Sequence, residues 1–296
     1  MTGLLPILSL PPLLANVAQE ALPIFPDVPF LKFITNSVVL ALIVVLTLLF
    51  FARKATTGMK LVPHPAQNAF EFVIEFLYNQ LASIVGHKVA TKAFPMLATL
   101  FIFILTANWF GLIPGVGTVG YGEETGIPFV VKEVHSPILR PATADINMTL
   151  GMALCFMVVW LWITIREVGV IHFLKHLFAP QGKSQNMFMA LMMGFIFAAV
   201  GVIEVVSIAI RPVSLSLRLY GNIFAGETLL HTMMTLLNGN HPVVEWIGRV
   251  VLPIPFYFME LLVGMVQAVV FTLLCAVYVM LSTAHEEHGD EHEHAH

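Results

Sequence analysis

Four stretches of this chain are long and apolar enough to cross a lipid bilayer once, and a fifth is more than twice the length needed. The hydrocarbon core of a membrane is roughly 30 Å thick and takes about 20 apolar residues in helix. Residues 33–52, 94–113, 148–165 and 254–281 each meet that requirement. The remaining run, 187–237, would make about 75 Å of helix at 1.5 Å per residue. No upright helix needs that length. It is either two helices or one strongly tilted helix, with Pro212 as the candidate break.

Composition agrees. Charged residues make up 11% of the chain and apolar residues 58%. A soluble domain carries about 25% charged residues, and so few charges cannot cover the surface of a water-soluble globule. Fourteen Lys and Arg against eighteen Asp and Glu leave no basic excess to neutralise phosphates, so a nucleic-acid partner is excluded. The two cysteines, Cys155 and Cys275, both lie in apolar runs and suggest neither a disulfide framework nor a thiolate metal site. These features define an all-α integral membrane protein with about five crossing helices.

One helical segment differs. In residues 65–87, Phe70, Val73, Ile74, Leu77 and Leu81 recur at helical spacing, while Glu71, Glu75, Asn79 and Gln80 fall elsewhere. This pattern predicts an amphipathic helix on the membrane surface or against a partner. With five crossings, segments 53–93 and 166–186 share a side with the C-terminus and hold eight Lys and Arg, against four on the other side. The positive-inside bias then places the N-terminus outside and the C-terminus in the cytoplasm. Three regions follow: an outside segment over 1–32, one transmembrane domain over 33–282 and a cytoplasmic tail over 283–296. Residues 1–32 are Pro-rich without a basic start, so they support a signal peptide poorly. The acidic His-rich tail has a composition that can bind metal, but a solvated tail is the plainer reading. Its His285 and His288 are three residues apart, not the four of a zinc-protease helix.

Five charges fall inside apolar runs: Glu204, Arg211, Arg218, Glu227 and Glu260. A charge at mid-bilayer costs about 2.5–3.5 kcal/mol on insertion scales, so such residues face an interior or a water-filled path. The bland alternative is static ion pairs and snorkelling ends. Glu204, Arg211 and Arg218 are spaced by seven and share a helix face. Glu227, nine residues past Arg218, falls on the opposite face about 13–14 Å further along. Asn222 is one turn from Arg218, and Glu260 and Gln267 share a face of the last span. Antiparallel packing of the last two spans would bring the Glu227 end to the Glu260 end. Arg218 stays charged at any plausible pH, whereas the carboxylates can titrate. Titratable groups at two depths, separated by a fixed cation, have the form of two half-channels that must not connect directly.

The segments SIAIRPVSLSLRLYGNIFAGETLL (207–230) and MVQAVVFTLLCAVYVMLSTAHEEH (265–288) resemble the signature of F-type ATP synthase subunit a. ATADINMTLGMAL (142–154) and AFPMLATLFIFILTANWFGLIPG (93–115) extend the resemblance, which covers roughly 30–288 in the family's order. The resemblance implies a stator subunit beside a rotating ring of c subunits, with no bond chemistry of its own and no cofactor. It matches Arg218 to the family's essential arginine, Asn222 to its polar neighbour and Gln267 to the glutamine facing it. Glu227 matches the acid of the outer half-channel and Glu204 a carboxylate of the inner one. Asp145 and Asn147 match polar residues near the outer entrance. Position 260 is histidine in some members and Glu here, so two carboxylates would share the outer path. Neighbouring like charges do not both ionise readily, which suits a proton relay.

The same resemblance implies that the long fourth run lies nearly flat and forms, with the last span, a tilted hairpin facing the c-ring. Arg211, Ser214, Ser216, Gly221 and Ala225 would lie on the ring-facing stretch, where small residues permit close helix approach. The implied partners are the c-ring, the peripheral-stalk b subunits, the other synthase subunits and the bilayer, in a bacterial plasma membrane. An ion-coupled secondary transporter also needs intramembrane charges, but it should show inverted repeats, and none is visible. An intramembrane hydrolase needs a nucleophile beside a base, and Ser207 and His231 would lie about 36 Å apart on one helix.

Overall fold

In a computed structural model of the chain, residues 35–59, 65–113, 116, 120–124, 131–137, 139–170, 187–236, 248 and 250–283 are described. The expectations for 1–32 and for the tail beyond Thr283 lie outside them. Six long helices account for most of the described chain: α1 (Asn36–Thr56), α2 (Pro65–Val85), α3 (His87–Gly111), α4 (Ile146–Val168), α5 (Met187–Thr235) and α6 (Pro253–Thr283). Five are long and apolar enough to cross a membrane, over Asn36–Thr56, Ala90–Gly111, Ile146–Arg166, Met192–Met234 and Pro253–Leu281. The protein is a multi-pass, all-α membrane protein.

The spans end where elementary chemistry ends them. α1 closes on Arg53 and Lys54, cations at the negative end of the helix dipole. Asp145 caps α4, its Oδ1 accepting the Asn147 N–H at 2.9 Å. The turn between α2 and α3 is a single residue, Gly86, at φ +76°, a conformation that costs a side-chain-bearing residue strain. The amphipathic reading of α2 corresponds to its burial: Leu81 is buried and Phe70, Ile74 and Leu77 half-buried, with Glu71, Glu75, Asn79 and Gln80 exposed. Val73, expected on the covered face, is exposed at its edge.

Two features depart from the sequence pattern. α5 is one continuous 49-residue helix that runs through Pro212, so the candidate break is not a break. Proline removes one backbone donor, a loss that helices in membranes tolerate. The connection between α3 and α4 contains an antiparallel pair, β1 (Gly120–Glu124) and β2 (Val131–Pro137), paired Gly120 to Pro137 and Glu124 to Val131. A span-length reading has no resolution for strands this short.

The chain gathers into two compact units. The first comprises residues up to Phe50, Phe103–Met148 and Leu219–Gln267. Its core includes Ala41, Val44, Ala107 and Ala142, with Leu48, Phe103, Phe110 and Met148 against them. The second comprises Phe51–Ile102, Thr149–Arg218 and Ala268 onward. There the Tyr78 ring of α2 meets Phe94 of α3 edge-on at 5.3 Å, and Trp160 Nε1 of α4 donates to the Tyr278 carbonyl of α6 at 3.0 Å.

Candidate functional site: a carboxylate-lined cavity

In the first unit, α3 and α6 are joined by two side-chain bonds placed about one turn apart. Asn108 Nδ2 donates to the Gly264 carbonyl at 3.0 Å, and Trp109 Nε1 to the Leu261 carbonyl at 3.3 Å. α5 and α6 are joined by Asn222 Nδ2, which donates to Gln267 Oε1 at 2.7 Å. Glycine permits close approach at Gly226, where an added Cβ would overlap the Glu260 carboxyl group.

Residues of α3, α5 and α6 line a cavity of about 120 Å³. Glu227 from α5 and Glu260 from α6 both line it, with Asn108, His231 and Tyr257. Glu260 is only 4% exposed. Three oxygens around the cavity, Glu227 Oε2, Glu260 Oε1 and Asn108 Oδ1, are buried without a hydrogen-bond partner among the described residues. Arg140, buried just before α4, is the cation that acts electrostatically on Glu227. A space of this size holds several waters. Carboxyl groups and waters can pass a proton, and an amide oxygen can accept a hydrogen bond that orients them. Among the described residues no group of three or more His, Cys, Asp or Glu is placed to hold a metal ion.

The other sequence-predicted residues lie as follows. Gln267 is buried, and its Nε2 has no partner among the described residues. Arg218, Asn222, Ser214 and Ala225 are exposed on α5, Gly221 is half-buried and Ser216 buried. In the second unit, Arg211 donates to Glu204 Oε1 at 3.2 Å, and its guanidinium lies 4.9 Å over the Tyr278 ring. Asp145 is buried as a helix cap and Asn147 exposed, and neither lines the cavity. Asn108, Tyr257, His231, Gly226 and Arg140 were not singled out as site residues by sequence. Asn108 and His231 left a signal, each as a polar residue inside an apolar run.

The family described as ATP synthase A chain matches residues 34–280. The chain belongs to the ATP synthase A chain family. It is 31% identical over 262 residues to the ATP synthase subunit a of Acidothermus cellulolyticus, covering 88% of this chain and 80% of that one. It is equally 31% identical to the subunit a of Gloeobacter violaceus over 265 residues, 88% and 85% of the two chains. The match to the Mycobacterium ulcerans protein is 31% over 257 residues, 86% and 88%. As an ATP synthase subunit a, the protein is the proton-translocating stator subunit of the membrane sector. It is not itself the catalytic part of the complex, and a secondary transporter is not favoured.

Proposed function

We propose that this subunit a carries protons through two half-channels that load and unload carboxylates on a c-ring, with Arg218 as the barrier between them. Glu227 and Glu260 form the outer path, Asn222 and Gln267 lie next to it, and Glu204 belongs to the inner path. The observation that carries the reading is the convergence of Glu227 and Glu260, from different helices, on one cavity. A membrane interior does not tolerate two neighbouring carboxyl groups without a polar path to serve.

Arg218 suits a barrier because its proton cannot leave, while its charge attracts a ring carboxylate into the ionised form. The exposed residues around it on α5 support a ring-facing surface, since Ser214, Ala225 and Arg218 fall on one side of the helix. α5 itself is about 74 Å long, so within a 30 Å core it lies strongly tilted and follows the ring's flank. The distribution of Lys and Arg supports an N-terminus outside and a C-terminus in the cytoplasm, in a bacterial plasma membrane. The peripheral-stalk b subunits are the further partners of this reading. One transmembrane domain, 33–282, would carry all of it, with 1–32 outside and 283–296 in the cytoplasm.

The test is ATP-driven proton pumping by the assembled complex in inverted vesicles, Arg218→Ala against wild type, with passive leak measured alongside. Lost pumping with the complex intact is expected. Undiminished pumping would return the charges to static ion pairs.

A further inference from the structure

Asn108 occupies a position that packing alone does not require. It lies on α3 among apolar residues and is 3% exposed. Its Nδ2 donates to the Gly264 carbonyl at 3.0 Å, one turn along α6 from Glu260. That bond fixes which way the amide faces, because the reverse orientation would set two carbonyl oxygens against each other. Oδ1 is left buried, with no hydrogen-bond partner among the described residues. Close packing holds this arrangement: a Cβ added at Gly264 would stand 3.1 Å from the Asn108 Cβ. The neighbouring Trp109 ties the same helix at Leu261.

Asn108 lines the cavity with Glu227 and Glu260, each of which also has one buried oxygen without a partner. A buried acceptor with no protein donor is ordinarily satisfied by water, and a buried water needs two to four polar partners. These three oxygens supply that number in a space of about 120 Å³. A proton crossing from one carboxyl group to the other through water needs that water held between them, with one lone pair free to receive.

We propose that Asn108 anchors, through Oδ1, the water that relays protons between Glu227 and Glu260. The water donates one hydrogen to Oδ1, accepts a proton from one carboxyl group and returns one to the other carboxylate, so no proton is gained or lost. Asn108 is a positioning residue; the carboxyl groups carry the charge. This inference rests on the reading of the cavity as the outer half-channel.

The experiment uses the assembled complex in vesicles and measures passive proton conduction through the membrane sector, per assembled complex. The variants are Asn108→Leu, Asn108→Ser, Asn108→Ala and Glu260→Gln. Leu fills the space without a polar atom and should lower conduction at least fivefold. Ser leaves room for water and adds a hydroxyl, and should keep at least half. A purely structural role would reduce assembly instead and leave conduction per complex unchanged in Asn108→Leu, which overturns the proposal. Should that variant not assemble, Ser against Ala decides: a twofold or greater advantage for the hydroxyl supports the anchor, and equal conduction overturns it. Glu260→Gln separates the two levels. If it conducts like wild type, the outer half-channel reading fails and the proposal with it. If it conducts poorly while Asn108→Leu conducts normally, the Asn108 role alone fails.

Discussion

Gly226 on α5 lies so close to the carboxyl group of Glu260 on α6 that one added Cβ would overlap it. The carboxyl group therefore reaches the cavity over a residue with no side chain. Gly226→Ala should push Glu260 aside and lower ATP-driven pumping at least tenfold, with the complex still assembled. Shortening the partner should relieve the overlap, so Gly226→Ala with Glu260→Asp should pump better than Gly226→Ala alone. Equal rates for the single and double variants would show that the contact does not set the position of Glu260.

Asn222 and Gln267 form a side-chain bond between α5 and α6, at 2.7 Å. Gln267 is buried and Asn222 is not, so losing Asn222 leaves an unpaired amide in the interior. Stranding a buried polar group costs about 1–3 kcal/mol, whereas removing both partners costs less. Pumping rates of Asn222→Ala, Gln267→Leu and the double variant should be non-additive by roughly fivefold, or about 1 kcal/mol. Additive effects would mean that the two side chains act separately.

The sequence made the spans legible because lipid imposes one strong rule, about 20 apolar residues per crossing. The run read as 33–52 is the helix Asn36–Thr56, and that read as 148–165 is Ile146–Val168. Pro212 misled because proline propensity is a local rule that a long membrane helix can override, and α5 runs through it. Asn108 was passed over for the same reason. A single polar residue in an apolar run says nothing of Gly264, far along the chain, which takes its N–H. Asp145 was read through the family match alone, and its place as the cap of α4, where its Oδ1 accepts the Asn147 N–H, is a local feature that match does not address.

Arg211 faces back along its own helix. It bonds Glu204 at 3.2 Å and lies 4.9 Å over the Tyr278 ring. The planar guanidinium makes both contacts together, which a lysine cannot reproduce. Arg211→Gln should reduce pumping more than Arg211→Lys, because it leaves Glu204 without its counter-charge. Tyr278→Leu should give a milder loss, about twofold, by freeing the guanidinium from the ring. Pumping in inverted vesicles checks the order. Wild-type rates for Arg211→Gln would show that the charge on Glu204 is indifferent to proton exit.

Glu227 and Glu260 share a cavity but not an environment. Glu260 is 4% exposed and wedged over Gly226, while Glu227 is half-buried and feels the Arg140 guanidinium. A relay with two titratable stations can lose one and still pass protons through water, at a lower rate. Each single Glu→Gln change should leave a measurable fraction of ATP-driven pumping, with Glu260→Gln the lower of the two because Glu260 is the less exposed residue and packs against Gly226. The double variant should pump at background, since no carboxyl group would remain among the cavity's lining residues and Arg140, the cation that acts on Glu227, cannot give up its proton. The three rates, per assembled complex, decide between a shared path and two independent ones. A double variant that pumps as well as the better single would exclude the cavity from the proton's route.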